Sequence, residues 1–181
     1  MEADVLLILL LGGGFLLGFF RGVVRMFIAI GAWAFSFLLA SHLRLPVGDF
    51  LFRTDVQFSP SYATMVSFAA IFAALLVTSV VLIMVSRAPT QLSRHALVDD
   101  LLGGLLGVVA ALLLMASIIV ILDTHYAIEA PAPGRDIPLL TSLHQLLRSS
   151  AVAGAVRDTV VPVLGFVFGP LLPAEVRAVM T

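Results

Sequence analysis

Charged residues are scarce along this chain, and they divide it into long apolar stretches. Val5 to Phe20 contains none, nor do Met26 to Ser41, Ala63 to Val85 and Leu101 to Leu122. A helix rises about 1.5 Å per residue and the hydrocarbon core of a bilayer is about 30 Å thick, so roughly 20 apolar residues cross it. The pattern predicts an all-α protein, a four-helix transmembrane bundle with a C-terminal amphipathic and interfacial helical tail. The first two stretches are short and are separated only by Arg21-Gly22-Val23-Val24-Arg25, which makes them a tight hairpin. The last two are full-length spans.

Between the second and third spans, Leu45 to Tyr62 mixes Asp49, Arg53, Asp55 and Pro60 with Phe50, Phe52, Phe58 and Tyr62, and is expected to be a loop along the headgroups. The transmembrane domain is expected over 1–122, a Pro- and Gly-bearing linker over 123–138 and a tail over 139–181. In the tail, Leu139, Leu140, Leu143, Leu146, Leu147 and Val152 recur at helical spacing opposite Ser142, Gln145, Ser149 and Ser150, the mark of an amphipathic helix. The last apolar run, Val160 to Leu172, is short and carries Pro162, Gly165, Gly169 and Pro170. It reads as interfacial or re-entrant, with a fifth span as the alternative.

Composition agrees with a lipid solvent. The chain is 181 residues long, 61% hydrophobic and 12% charged, with a mean hydropathy of +1.14, whereas soluble domains are about 45–50% apolar and about 25% charged. Its formal net charge of -1 comes without any basic block, which argues against nucleic-acid binding. Cysteine is absent, so disulfides and thiolate chemistry are excluded. The short first stretch is expected to be a retained span rather than a secretory signal, because Glu2 and Asp4 precede it and Arg21 and Arg25 follow it, the reverse of a signal's charge order.

Charge also orients the spans. The first and third loops carry Arg21, Arg25, Arg87 and Arg94, against Arg44 and Arg53 for the N-terminus and second loop together, so the former face the cytoplasm by the positive-inside rule. Both termini and the tail then face outward. The expected location is the bacterial plasma (inner) membrane, with multiple passes.

Helices associate in lipid through close packing of small residues. Gly14, Gly18 and Gly22 form two successive G-x-x-x-G steps on the first helix, and Gly103 with Gly107 forms another on the fourth, so these two helices are expected to pack together. Asp99 and Asp100 suit a helix start, where exposed amides favour acids. Asp4, Arg21, Arg25, Asp99 and Asp100 all fall at span ends, and Arg21 is a candidate partner for Asp99 or Asp100.

No catalytic, cofactor-binding or metal site is expected. The histidines, His42, His95, His125 and His144, lie in separate loops or the tail without a nucleophile or metal motif. Ion-coupled transport usually places ionisable groups at membrane depth, and the four spans hold none. Ser36, Ser67, Thr78, Ser79 and Ser117 are the polar side chains available to line a conduit, or to bond to their own helix backbones.

The chain resembles the colicin V production protein family of bacterial inner-membrane proteins. The resemblance rests on the acid opening the first span, on Gly18-Phe19-Phe20-Arg21-Gly22-Val23-Val24-Arg25 between the first two spans, and on Val98-Asp99-Asp100-Leu101-Leu102-Gly103-Gly104-Leu105-Leu106-Gly107 opening the fourth. It covers roughly Asp4 to Leu122. The chain departs from the family pattern at Met26, where a Glu is usual, and at Asp99-Asp100, where Asp-Arg is usual. The resemblance implies a role in producing or exporting a peptide toxin and in envelope maintenance. The same module looks like the membrane anchor of certain periplasmic serine proteases, although here only an amphipathic tail follows it.

The expected function is that of a non-enzymatic membrane accessory or scaffold protein. Its partners would be the lipid bilayer and membrane or envelope proteins, or a second copy of itself. A subunit of a small-solute or peptide transporter or channel is the alternative.

Overall fold

The computed structural model of the protein describes residues 2–54, 60–85, 96–126 and 138–180. Every regular element among them is helical: α1 (Glu2–Thr54), α2 (Pro60–Val85), α3 (Ala96–Tyr126), α4 (Pro138–Ser149), α5 (Ala151–Phe168) and α6 (Ala174–Met180), with a single 3-10 turn at Gly169–Leu171 between the last two. Four helices are long and apolar enough to cross a membrane, over Asp4–Arg53, Pro60–Ile83, Leu97–Tyr126 and Ala151–Leu171.

The first of these folds back on itself. Gly22 has φ 74° and ψ 169°, a backbone region essentially reserved for glycine, and it splits α1 into an arm over residues 2–21 and another over 23–54. The two arms flank α3 in opposite directions. Along the first, Gly14, Gly18 and Gly22 meet Gly107, Gly103 and Asp99 in turn, so it runs antiparallel to α3. Along the second, Val23 meets Asp99 and Trp33 meets Ser117, so it runs parallel to α3.

Helix α2 returns beside the second arm. Phe37 lies 5.6 Å from Phe68 and 6.0 Å from Phe72, ring centroid to centroid, and Tyr62 reaches His125 at the end of α3. Trp33, Phe37, Phe68, Phe72, Ile119 and Val120 form the centre of the core. Leucines and phenylalanines such as Leu6, Leu9, Phe20, Phe27 and Leu82 cover the outside, as a lipid-facing surface requires.

Helices outlast the apolar runs that signal them. The segment expected to be a loop from Leu45 is helical through Pro46 to Thr54, and α3 begins at Ala96, ahead of Asp99, and continues past Asp123 to Tyr126. Charges mark the edge of the hydrocarbon. They do not stop a helix that water and headgroups can solvate. The expected third loop, with Arg87, Arg94 and His95, and most of the expected linker lie outside the described residues.

The amphipathic segment of the tail is helix α4, which ends at Ser149, so that Val152 falls on the next helix. The last apolar run, from Val160, is the second half of a longer helix: α5 starts at Ala151 and carries Arg157 and Asp158 within it, and Ala151–Leu171 is long and apolar enough to cross a membrane. Beyond Phe168 the chain turns at Pro170 and Pro173 and runs back along α5, with Met180 against Gly165 and Arg177 against Gly169.

Candidate functional site

Two ends of the bundle gather its polar chemistry. At one end the chain reverses at Gly22, and the backbone restarts as a helix at Val23 with amides that have no carbonyl one turn earlier to bond. Asp99 supplies what is missing: its Oδ1 accepts the Val23 amide at 3.3 Å. Asp99 stands in the first turn of its own helix, yet it caps a different one. A carboxylate at a helix start is also favoured by the macrodipole.

The glycines below it form a seam without side chains. A Cβ at Gly18 would fall on the Gly103 carbonyl, one at Gly14 would lie 2.7 Å from the Gly107 carbonyl oxygen, and one at Gly22 would lie 2.5 Å from Asp99 Oδ2. Asp100 sits beside Asp99 in the first turns of α3, and Arg21 and Arg25 flank the reversal. Among the described residues, the ion pairs join Arg44 to Glu175, Arg157 to Asp123 and His144 to Asp123, and none joins Arg21 to Asp99 or Asp100.

The opposite end repeats the capping arrangement. Ser150 is the N-cap of α5 and its Oγ accepts the Ala153 amide at 3.1 Å. Asp4 accepts from both the Ser150 hydroxyl at 2.7 Å and the Val152 amide at 3.2 Å. The acid at the start of the chain thus holds the start of α5.

Nearby, Arg157 grips Asp123 with two donors, Nε at 2.9 Å and Nη2 at 3.0 Å. An arginine fork on a carboxylate is a strong, directional pair. Asp123 and Arg157 are about a fifth and a third exposed, so solvent screening reduces the effect to about 1–2 kcal/mol. D123N and R157Q are each expected to lower stability in detergent by that amount and to speed proteolysis of α5. The exchanged pair D123R/R157D is expected to recover most of it, and equal loss in the exchanged pair would show that the fork is not the cause.

Aromatic rings fasten α4 at the same end. His144 stacks on Tyr126 with centroids 4.3 Å apart, and Tyr126 lies edge-on to His125 at 4.8 Å. Burial holds the His144 imidazole below its ordinary pKa of 6.5, opposed by the Asp123 carboxylate and reinforced by Arg148 and Arg157. Because the folded state resists the proton, docking of α4 is at full strength above pH 6.5 and weakens as pH falls below it. Amide exchange in α4 is expected to quicken between pH 7.5 and 5.5, and to lose that pH dependence in H144Q once intrinsic exchange rates are corrected for.

Next to this end lies a cavity of about 310 Å³ bounded by Arg44, Asp49, Thr64, Phe68, His125 and Glu175 among others. Arg44 is 2% exposed and donates through Nη2 to Glu175 Oε2 at 2.6 Å, with its guanidinium carbon 6.0 Å from the Phe68 ring centre. Its Nε–H and the Nδ1 of His125 are buried and have no hydrogen-bond partner. Among the described residues no group of three or more His, Asp or Glu is placed to hold a metal ion.

The family model described as colicin V production protein matches residues 3–161. The chain belongs to that family. No curated protein and no solved structure matches it. The colicin V production family region reaches well past Leu122, where the sequence resemblance was expected to end, and takes in α4 and the first half of α5. The bonds from Asp4 to Ser150 and from Asp123 to Arg157 therefore lie inside it, while α6 with Glu175 lies beyond.

Of the residues singled out in the sequence, the structure brings Gly14, Gly18 and Gly22 to Gly103, Gly107 and Asp99, and leaves Asp100, Arg21 and Arg25 at the reversal without an ion pair among the described residues. Sequence reasoning missed Arg44, Asp123, Ser150, Arg157 and Glu175. Arg157 carried a signal. A charge inside an otherwise apolar helical run demands a partner.

Proposed function

We propose that this member of the colicin V production family is a non-enzymatic accessory or scaffold protein of the bacterial inner membrane. In this reading it acts in toxin production or export and in envelope maintenance. The supporting observation is that polar side chains at membrane depth are bonded within the protein, three of them, Ser36, Ser67 and Ser117, fully buried. Ser36, Ser67, Thr78 and Ser117 each donate to the carbonyl one turn earlier, at 2.7 to 2.9 Å. Trp33 Nε1 donates to Ser117 Oγ at 2.9 Å. Hydroxyls bonded in this way have no proton left to donate to a passing solute.

The same reading places the Gly22 end, with Arg21 and Arg25, in the cytoplasm and both termini on the outer side. The hairpin of α5 and α6 is then a re-entrant element, entering beside Asp4, reaching Trp33 through Phe168 at 6.0 Å and turning back. Partner proteins would meet the apolar outer faces, where Phe20 and Phe166 are 80% and 87% exposed.

Photo-crosslinking from Phe20 and Phe166 in native membranes is expected to yield discrete protein adducts from at least one position. Purified protein in liposomes is expected to keep them tight to small solutes and peptides. Flux through such liposomes would replace the scaffold reading with that of a transporter or channel subunit.

A further inference from the structure

We propose that the cavity at Arg44 is a binding site for a zwitterionic phospholipid headgroup, phosphate inward and ammonium at the mouth. The proposal does not depend on whether the protein is a scaffold or a conduit. It requires only that the bundle lie in a bilayer.

Three observations carry it. The first is the state of the buried cation. A guanidinium taken out of water is costly unless its donors are satisfied, yet among the described residues Arg44 makes one ion pair, through Nη2, and leaves the buried Nε–H without an acceptor. The second is a matching deficiency nearby. His125 lines the same cavity and is 6% exposed, and its Nδ1 has no partner. In the tautomer that carries the proton there, it is a second unsatisfied donor. Two unpartnered nitrogens on one cavity suit a group with several acceptor oxygens, and arginine matches phosphate geometry well.

The third observation is the order of charge from floor to mouth. Arg44 is buried, while Asp49 is exposed and the Glu175 side chain is 56% exposed. A purely anionic headgroup would meet these carboxylates. A phosphate linked to an ammonium presents each end to its opposite. The walls between combine apolar Met65, Phe68 and Ile121 with the hydroxyls of Thr64 and Thr124. The cavity also stands at headgroup level, beside the aromatic residues Tyr62 and Tyr126 and past the apolar run that ends at Ser41. The bilayer supplies such a ligand at high local concentration.

The test uses the purified full chain in a neutral detergent, titrated with phosphatidylethanolamine, phosphatidylglycerol, diacylglycerol or inorganic phosphate and read by native mass spectrometry. Phosphatidylethanolamine is expected to be retained about fivefold over phosphatidylglycerol and well above diacylglycerol, with no displacement by millimolar inorganic phosphate. R44Q is expected to reduce retention about tenfold. D49N changes an exposed residue and keeps the test decisive should R44Q fail to fold. It is expected to bring the two phospholipids level. Unchanged retention in R44Q, an unchanged headgroup preference in D49N, or equal retention of diacylglycerol would overturn the proposal. Displacement by inorganic phosphate would replace the lipid with a free anion.

Discussion

Replacing Gly107 with leucine is expected to pry the first arm of α1 off α3 and to cost at least about 3 kcal/mol, the upper part of the range for overpacking a rigid contact. The reason is that backbone faces backbone. A Cβ at Gly107 would overlap the Gly14 carbonyl, and one at Gly14 would meet the Gly107 carbonyl oxygen at 2.7 Å and Ala111 Cβ at 2.9 Å. No flexible side chain stands between them to move aside, so the helices themselves must separate. In lipid that separation is not opposed by a hydrophobic drive, which leaves close packing as the main attraction and its loss correspondingly severe.

The control is Gly31→Ala. Gly31 has open space where its Cβ would be, and alanine is the better helix former by up to about 1 kcal/mol. Thermal unfolding in detergent is expected to fall steeply for G107L and to hold or rise for G31A. Equal behaviour of the two would mean that glycine at the seam reflects composition rather than contact.

The second large effect is expected at Gly22. An alanine there must adopt φ 74° and ψ 169°, a conformation that costs a non-glycine residue about 1–3 kcal/mol. Its Cβ would also press on the Asp99 carboxylate. Strain and clash act together, so G22A is expected to lose the hairpin. Engineered cysteine pairs linking the two arms, for instance near Leu9 and Trp33, which border one groove, are expected to stop crosslinking. Removing the carboxylate separates the two causes. D99A relieves the clash but not the backbone strain, and it strips the acceptor from the Val23 amide, so G22A/D99A is expected to be no better than G22A. Full recovery in the double variant would show that crowding alone places glycine at this position.

Most of the scaffold was legible in the sequence for a simple reason. A bilayer demands long uncharged runs, and the runs at Ala63 to Val85 and Leu101 to Leu122 coincide with the central parts of α2 and α3. The reversal at Gly22 was legible too, since only the five residues Arg21-Gly22-Val23-Val24-Arg25 separated two short apolar stretches. Helix ends were not. A loop was expected from Leu45 and a linker from Asp123 because charge leaves the hydrocarbon, but a helix needs only its backbone bonds and continues into the interface, as α1 does to Thr54.

The polar partnerships were hidden for a different reason. Asp4 with Ser150, Asp123 with Arg157 and Arg44 with Glu175 join residues far apart in sequence, and each residue taken alone has an ordinary interfacial explanation. Asp99 is the instructive case. Its position at the start of α3 suggested a cap for that helix, and local spacing cannot reveal that its carboxylate turns to the amide of Val23.

That bond has a consequence for how the protein is made. Val23 and Asp99 are 76 residues apart, and Val152 lies 148 residues from the Asp4 that receives its amide. A nascent chain leaves the ribosome at about 5–20 residues per second. The first hairpin therefore waits seconds in the membrane with its turn unfinished, until α3 arrives to close it. The N-terminal arm then waits again for α5. Each end of the bundle is completed by a segment synthesised later, so partial chains carry an open seam of glycine backbone that only the rest of the same polypeptide, or a protein able to stand in for it, can fill.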